Sequence, residues 1–222
     1  MKKFVLLWIL AIVGSLSVLP YVGYLEMAPA LTVNRVLLIT LQSAVVFALI
    51  CFLSYKIVPK TDLRPFSNQK PIYPALISGA VMGVVIFILD KTIFHSSLLS
   101  EVHPPIWAGA LASIYGAVNE ELLLRLFLFT TVYYLLKKWF KFPENQRIYF
   151  LWSVNILVAL IFGLGHLPAA FKLVSPSAFD IFRILFLNGI AGILFGWLYW
   201  SRGLWAAMGA HFVSDLVIHT IT

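Results

Sequence analysis

Residues 106–136 read IWAGALASIYGAVNEELLLRLFLFTTVYYLL, an apolar run whose only charged side chains are Glu120, Glu121 and Arg125. About 20 such residues suffice to cross the ~30 Å hydrocarbon core of a bilayer. An ionised side chain near the centre of a spanning helix costs roughly 2.5–3.5 kcal/mol even on the lenient insertion scale. Two adjacent carboxylates with a cation one turn further on therefore require a compensating site within protein.

The rest of the chain repeats the theme. Of 222 residues, 61% are hydrophobic and 11% charged, with a mean hydropathy of +0.95. A soluble domain of this size needs far more polar surface. Apolar runs at about 4–24, 36–55, 74–93, 106–136, 148–167, 181–200 and 204–221 make about seven spans. In lipid such runs are helices, because an open strand edge finds no hydrogen-bond partner there. The expected fold is all-α, a polytopic membrane helical bundle forming a single integral-membrane domain over residues 1–222.

The net charge of +7 lies in short loops, which reads as membrane topology and not as affinity for nucleic acid. With the N-terminus cytoplasmic, the inner segments hold Lys2, Lys3, Lys56, Lys60, Arg64, Lys70, Lys137, Lys138, Lys141, Arg147 and Arg202. The outer segments hold Arg35, Lys91, Lys172 and Arg183. Eleven against four is a strong positive-inside bias. Lys2 and Lys3, the apolar run and Ala28-Pro29-Ala30 resemble a secretory signal. The run is longer than the usual core of about 7–15 residues, so an uncleaved first helix is expected. The single cysteine, Cys51, excludes an intrachain disulfide and a thiolate metal cluster. His95, Glu101 and His103, between Phe94 and Pro105, read as a polar surface loop.

On an ideal helix Glu121 and Arg125 stand about 40° apart, and Glu120 about 100° from Glu121. Arg125 should then neutralise Glu121 and leave Glu120 without a close partner, poised as a general acid or base. Gly109, Ser113 and Gly116 lie within about 40° of Glu120, a stripe of small residues that lets neighbouring helices approach. Ionisable groups recur deep in two later spans. His166 ends the fifth, where Pro168 favours a helix stop, and His211 and Asp215 share one face of the seventh at i,i+4 spacing. His219, a turn further on, reads as a helix-end residue at the outer interface. Counted from the inner ends at 1.5 Å per residue, Glu120 and His166 lie about 25 Å deep but His211 only about 12 Å.

Taken in order, Glu120-Glu121-x-x-x-Arg125, Phe162-x-x-x-His166 and His211-x-x-x-Asp215 resemble the three motifs of the CPBP family of intramembrane proteases. That family comprises the type II CAAX prenyl endopeptidases and the Abi bacteriocin-processing or immunity proteins. Residues 203–211, GLWAAMGAH, are also similar to its third motif region, and the likeness covers a core of about 106–218. Leu124 stands where the family often has phenylalanine, Leu126 where glycine is common, and Asp215 where eukaryotic members have asparagine. The resemblance implies an endopeptidase of a bacterial cell membrane, acting on a peptide or lipidated protein in or at the lipid bilayer. Glu120 and His166 would activate a water, and His211 and Asp215 would face the oxyanion. Glu121 and Arg125 would give structural support. An ionised aspartate has no proton to donate, so Asp215 is either protonated, or orients His211, or binds a metal. A site without cofactor or metal is expected, with a divalent ion such as zinc as the alternative, because His-x-x-x-Asp is not the His-Glu-x-x-His zinc helix. Intramembrane carboxylates also serve proton or ion transporters, and a non-catalytic immunity or scaffold protein could keep the same fold.

Overall fold

The computed structural model describes residues 2–27, 31–66, 72–97 and 104–221. The Ala28–Ala30 stretch, Lys70, Glu101 and His103 lie outside them. The described chain is helical throughout its spans: α1 (Lys2–Ser17), α2 (Leu19–Leu25), α3 (Val33–Ile57), α4 (Tyr73–Thr92), α5 (Ile106–Tyr115), α6 (Thr130–Phe140), α7 (Arg147–Gly165), α8 (Leu167–Leu173), α9 (Ala178–Arg202) and α10 (Leu204–Ile221). Six helical stretches among the described residues are long and apolar enough to cross a membrane: Lys2–Leu25, Val33–Lys60, Tyr73–Thr92, Glu144–Leu173, Ala178–Arg202 and Leu204–Ile221. The seventh is the charged run itself, helical from Ile106 to Phe140. The protein is an all-α polytopic membrane bundle.

That seventh stretch departs from ideal α geometry. Between α5 and α6 it is π-helical over Gly116–Glu120 and Leu122–Phe129. Backbone bonds there reach five residues back instead of four, which widens the turn. The hydroxyl of Thr130 donates to the carbonyl of Arg125, also five residues back, at 3.2 Å. Angles reckoned at 100° per residue therefore fail across the part of the helix that carries Glu120, Glu121 and Arg125.

Close packing relies on absent side chains. A methyl group on Gly79 of α4 would collide with the backbone of Ala210 in α10, and one on Gly196 of α9 with the amide of Asn155 in α7. These contacts set α4 beside α10 and α7 beside α9. Asn155 donates to the carbonyl of Ile193 at 2.9 Å. From the helix bearing the carboxylates, Asn119 donates to Ala11 O at 2.8 Å and to Ser15 Oγ at 2.7 Å. The first span is thus tied to the residue preceding Glu120. A Ser177–Asp180 capping box starts α9, a device worth about 1 kcal/mol, and Gly203, with φ 100°, makes the reversal into α10.

At the end of the bundle richest in lysine and arginine, Asp62 gathers Tyr133 Oη (3.0 Å), Lys137 Nζ (2.7 Å) and Arg147. The same loop receives Leu204 N on the carbonyl of Pro65 at 2.8 Å. So α10 begins beside the loop that also binds Tyr133 and Lys137. Burial alone would raise the Asp62 carboxyl, but the hydrogen bonds from Lys137, Arg147 and Tyr133 outweigh it and bring its pKa down to about 2. A carboxyl lowered below its unfolded value of about 3.9 stabilises the fold at pH above that value and loses the contribution as pH falls toward 2. Asp62→Asn should therefore flatten the loss of thermal stability between about pH 4 and 2, measured by melting in detergent. The effect should be modest, because the side chain is 31% exposed and solvent screens it.

Candidate active site

Glu121 and Arg125 are wholly enclosed, at 0% exposure, with Arg125 Nε 3.4 Å from Glu121 Oε2. Arg125 also donates to the carbonyl of Gly192 at 3.1 Å, and its guanidinium lies 5.2 Å from the centre of the Phe162 ring. Glu121 does more than neutralise Arg125. Its other oxygen accepts from His211 Nδ1 at 2.9 Å. An ionised carboxylate can only accept, so Nδ1 carries the proton and Nε2 is the nitrogen turned toward the remaining acids. Nε2 lies 3.5 Å from Asp215 Oδ2 and 3.7 Å from Glu120 Oε2. Glu120, expected to lack a close partner, thus faces the far side of the imidazole that Glu121 grips. The wide turns of the π-helical segment let adjacent carboxylates reach opposite edges of one ring.

The ring of His211 is fixed by its surroundings. It stacks on Phe195 at 4.4 Å between centroids with 19° between planes, and meets the edge of Phe162 at 5.8 Å. Phe195 carried no signal in the sequence, since one more aromatic residue in an apolar helix is unremarkable. Asn119 was passed over in the same way, whereas Gly116 does what its place in the stripe of small residues implied. Gly116 allows the close approach of α10: a methyl there would lie 2.5 Å from Asp215 Oδ2 and 3.1 Å from His211 Nε2. Gly109 performs the same service for His219, whose Cβ would be 2.6 Å away.

His166 caps α7, with φ −84° and ψ −18°, and Pro168 occupies the first turn of α8. Its Nδ1 pairs with the carbonyl of Phe162 at 2.9 Å. A carbonyl only accepts, so Nδ1 is again the protonated nitrogen and Nε2 is left for chemistry. Glu120, His166, His211 and Asp215 all line one cavity of about 410 Å³. His219 lines it as well, with its ring edge-to-face on Tyr21 at 5.2 Å. It stands in the last turn of α10, half-buried, at the same end of the cavity as Tyr21. Glu121 and Arg125 are shut behind the cavity wall. Among the described residues, no three His, Cys, Asp or Glu side chains are disposed to hold one metal ion. His211 Nδ1 is committed to Glu121, which leaves Nε2 as the open nitrogen of that ring.

The comparison with known families bears on this constellation. The model for type II CAAX prenyl endopeptidase Rce1-like proteins matches residues 102–217, about half of the chain, and takes in Glu120, His166, His211 and Asp215. The chain belongs to this family. Rce1-like proteins are CAAX-type intramembrane proteases, so a peptide substrate and a membrane setting follow for the chain in general terms. No curated protein and no solved structure gives a significant match. The Rce1-like match begins four residues ahead of α5 and ends within α10, leaving α1 to α4 outside it.

Proposed function

We propose that the protein is an intramembrane endopeptidase in which Glu120, assisted by His166, activates a water for attack on a peptide carbonyl. The supporting observation is the segregation of the acids. Glu120 and Asp215 border the cavity with His166 and His211, whereas the neighbouring Glu121 is withdrawn from it and spent on Arg125 and His211. In the proposed step Glu120 takes a proton from water as the oxygen bonds to the scissile carbon. The carbonyl π electrons move to oxygen, giving a tetrahedral oxyanion. Collapse of that intermediate breaks the C–N bond, and the proton held by Glu120 passes to the leaving amine. His211 Nε2 is placed to donate to the oxyanion when both ring nitrogens are protonated, a role in which fixed orientation counts for much. Asp215, 3.5 Å from that nitrogen, orients the ring or, protonated, donates beside it.

No step in this scheme calls on a metal. Purified protein in liposomes should hydrolyse a membrane-associated peptide at the same rate before and after chelator treatment. Activity lost on chelation and restored by stoichiometric zinc would instead make His166, His211 and Asp215 ligands, with Glu120 as base. Gly116 supplies an independent check. Gly116→Ala pushes a methyl between the reacting groups, and the carboxylate it meets is the mobile end of Asp215. The bundle should still fold, but displacement of about 1 Å at a reacting group can cost about 10²-fold in rate. A Gly116→Ala protein with wild-type rate per folded molecule would show that Asp215 and His211 do not act together in the reaction.

A further inference from the structure

We infer that peptide substrates reach this cavity from the side of the membrane opposite the lysine- and arginine-rich loops, the extracytoplasmic side. The inference rests on the proteolytic reading above for what the cavity does, and on the bundle's geometry for how it is reached. Apart from the reacting groups, and from Ala191 and Phe195 at or past the middle of α9, the described lining residues come from one end of the bundle. Val18 and Leu25 flank or end α2, Ile86 lies in the second half of α4, Ala169 in α8, Arg183 near the start of α9, and His219 in the last turns of α10. With the N-terminus inside, every one of these positions falls in the outer half.

The other end is closed. Leu7, Leu122, Leu126, Phe129, Leu151 and Leu204 each have 0% exposure, forming an apolar floor between the reacting groups and the Asp62 cluster. Three helices, α1, α7 and α10, supply that floor beside the carboxylate-bearing stretch's inner half. Above it, the side chains of Glu120 and Asp215 keep 22% and 25% exposure, as carboxylates need if they are to meet water. The rim on the open side carries a further charged pair: Arg183 Nε donates to Asp90 Oδ1 at 2.5 Å, linking α9 to α4. A charged pair in the outer part of a span is far cheaper beside a hydrated opening than against lipid.

The end with the floor is also the end with eleven of the loop lysines and arginines against four at the open end. That excess marks the cytoplasmic face. A peptide bond presented from the cytoplasm would have to pass a layer of fully buried side chains, whereas one presented from outside meets the cavity directly. The substrate class is therefore an exported peptide or an outward-facing segment of a membrane protein.

Cysteine accessibility in intact cells tests this without requiring hydrolysis. In a Cys51→Ala background, Ala169→Cys and Asn188→Cys place a thiol in the cavity wall on two different helices, so that misfolding of one variant does not leave the question open. Lys91→Cys and Lys138→Cys mark the open and closed ends. A membrane-impermeant maleimide added outside should modify Ala169→Cys and Asn188→Cys as fully as Lys91→Cys, and Lys138→Cys only after permeabilisation. Cavity thiols modified only after permeabilisation, together with Lys138→Cys, would overturn the inference, as would a reversed order of the two end markers. The expected labelling combined with no Glu120-dependent cleavage would leave the access route standing and sink the proteolytic reading alone.

Discussion

Glu120→Gln should lower peptide hydrolysis by about 10²–10⁴-fold, the span lost when a positioned general base is removed, while the folded yield stays near wild type. Glutamine keeps the length and volume of the side chain but cannot take the proton from water. The fold should tolerate it because Glu120 is not enclosed: its side chain keeps 22% exposure, and its approach to His211 at 3.7 Å is too long for a hydrogen bond. The adjacent residue makes the contrast. Glu121→Gln disturbs a fully buried group that holds both Arg125 and His211, so it should damage folding and activity together. The comparison is read as cleavage rate per folded molecule, with monodispersity on size exclusion as the measure of folding. A Glu120→Gln protein that cleaves at the wild-type rate would remove Glu120 from the reaction. Proton flux through liposomes without any peptide, lost in the same variant, would turn the site into a relay.

Arg125→Ala should be the most damaging single substitution for folding. Removing one partner of a buried ion pair typically costs about 3–5 kcal/mol, because the other charge is left stranded. Here the stranded group would be Glu121, at 0% exposure, and the Gly192 carbonyl would lose its donor as well. Glu121→Ala/Arg125→Ala should recover part of the folded yield, since neither charge then remains. Hydrolysis should stay low in the double variant, because His211 Nδ1 loses the acceptor that fixes its tautomer and orientation. Folded yield and cleavage rate should thus separate in the double variant. An Arg125→Ala protein that is fully stable yet inactive would instead place Arg125 among the reacting groups.

The sequence by itself determined the class of molecule, the number of spans, the side on which its cations gather, and which ionisable residues stand in apolar spans. Each of these follows from local quantities. Hydropathy over about 20 residues decides whether a segment can sit in lipid, and an ionisable side chain in such a segment is conspicuous because its cost there is large. The motifs were legible for the same reason: Glu120, Glu121, Arg125, His166, His211 and Asp215 stand out against an apolar background. Tertiary structure alone decided how those residues share the work. Spacing along an ideal helix assigned Glu121 to Arg125 and isolated Glu120. The structure keeps the Glu121–Arg125 pair and, through the π-helical turns, also brings both carboxylates to His211, one on each edge. Backbone hydrogen bonds reaching five residues back leave no mark in a pattern of apolar and polar residues, since every position involved is helical either way. Phe195 and Asp62 were silent for a related reason. A phenylalanine stacked on the ring of His211 and a loop aspartate that gathers three donors take their meaning from partners between 16 and 85 residues away in the chain. Those partners meet only when the helices pack.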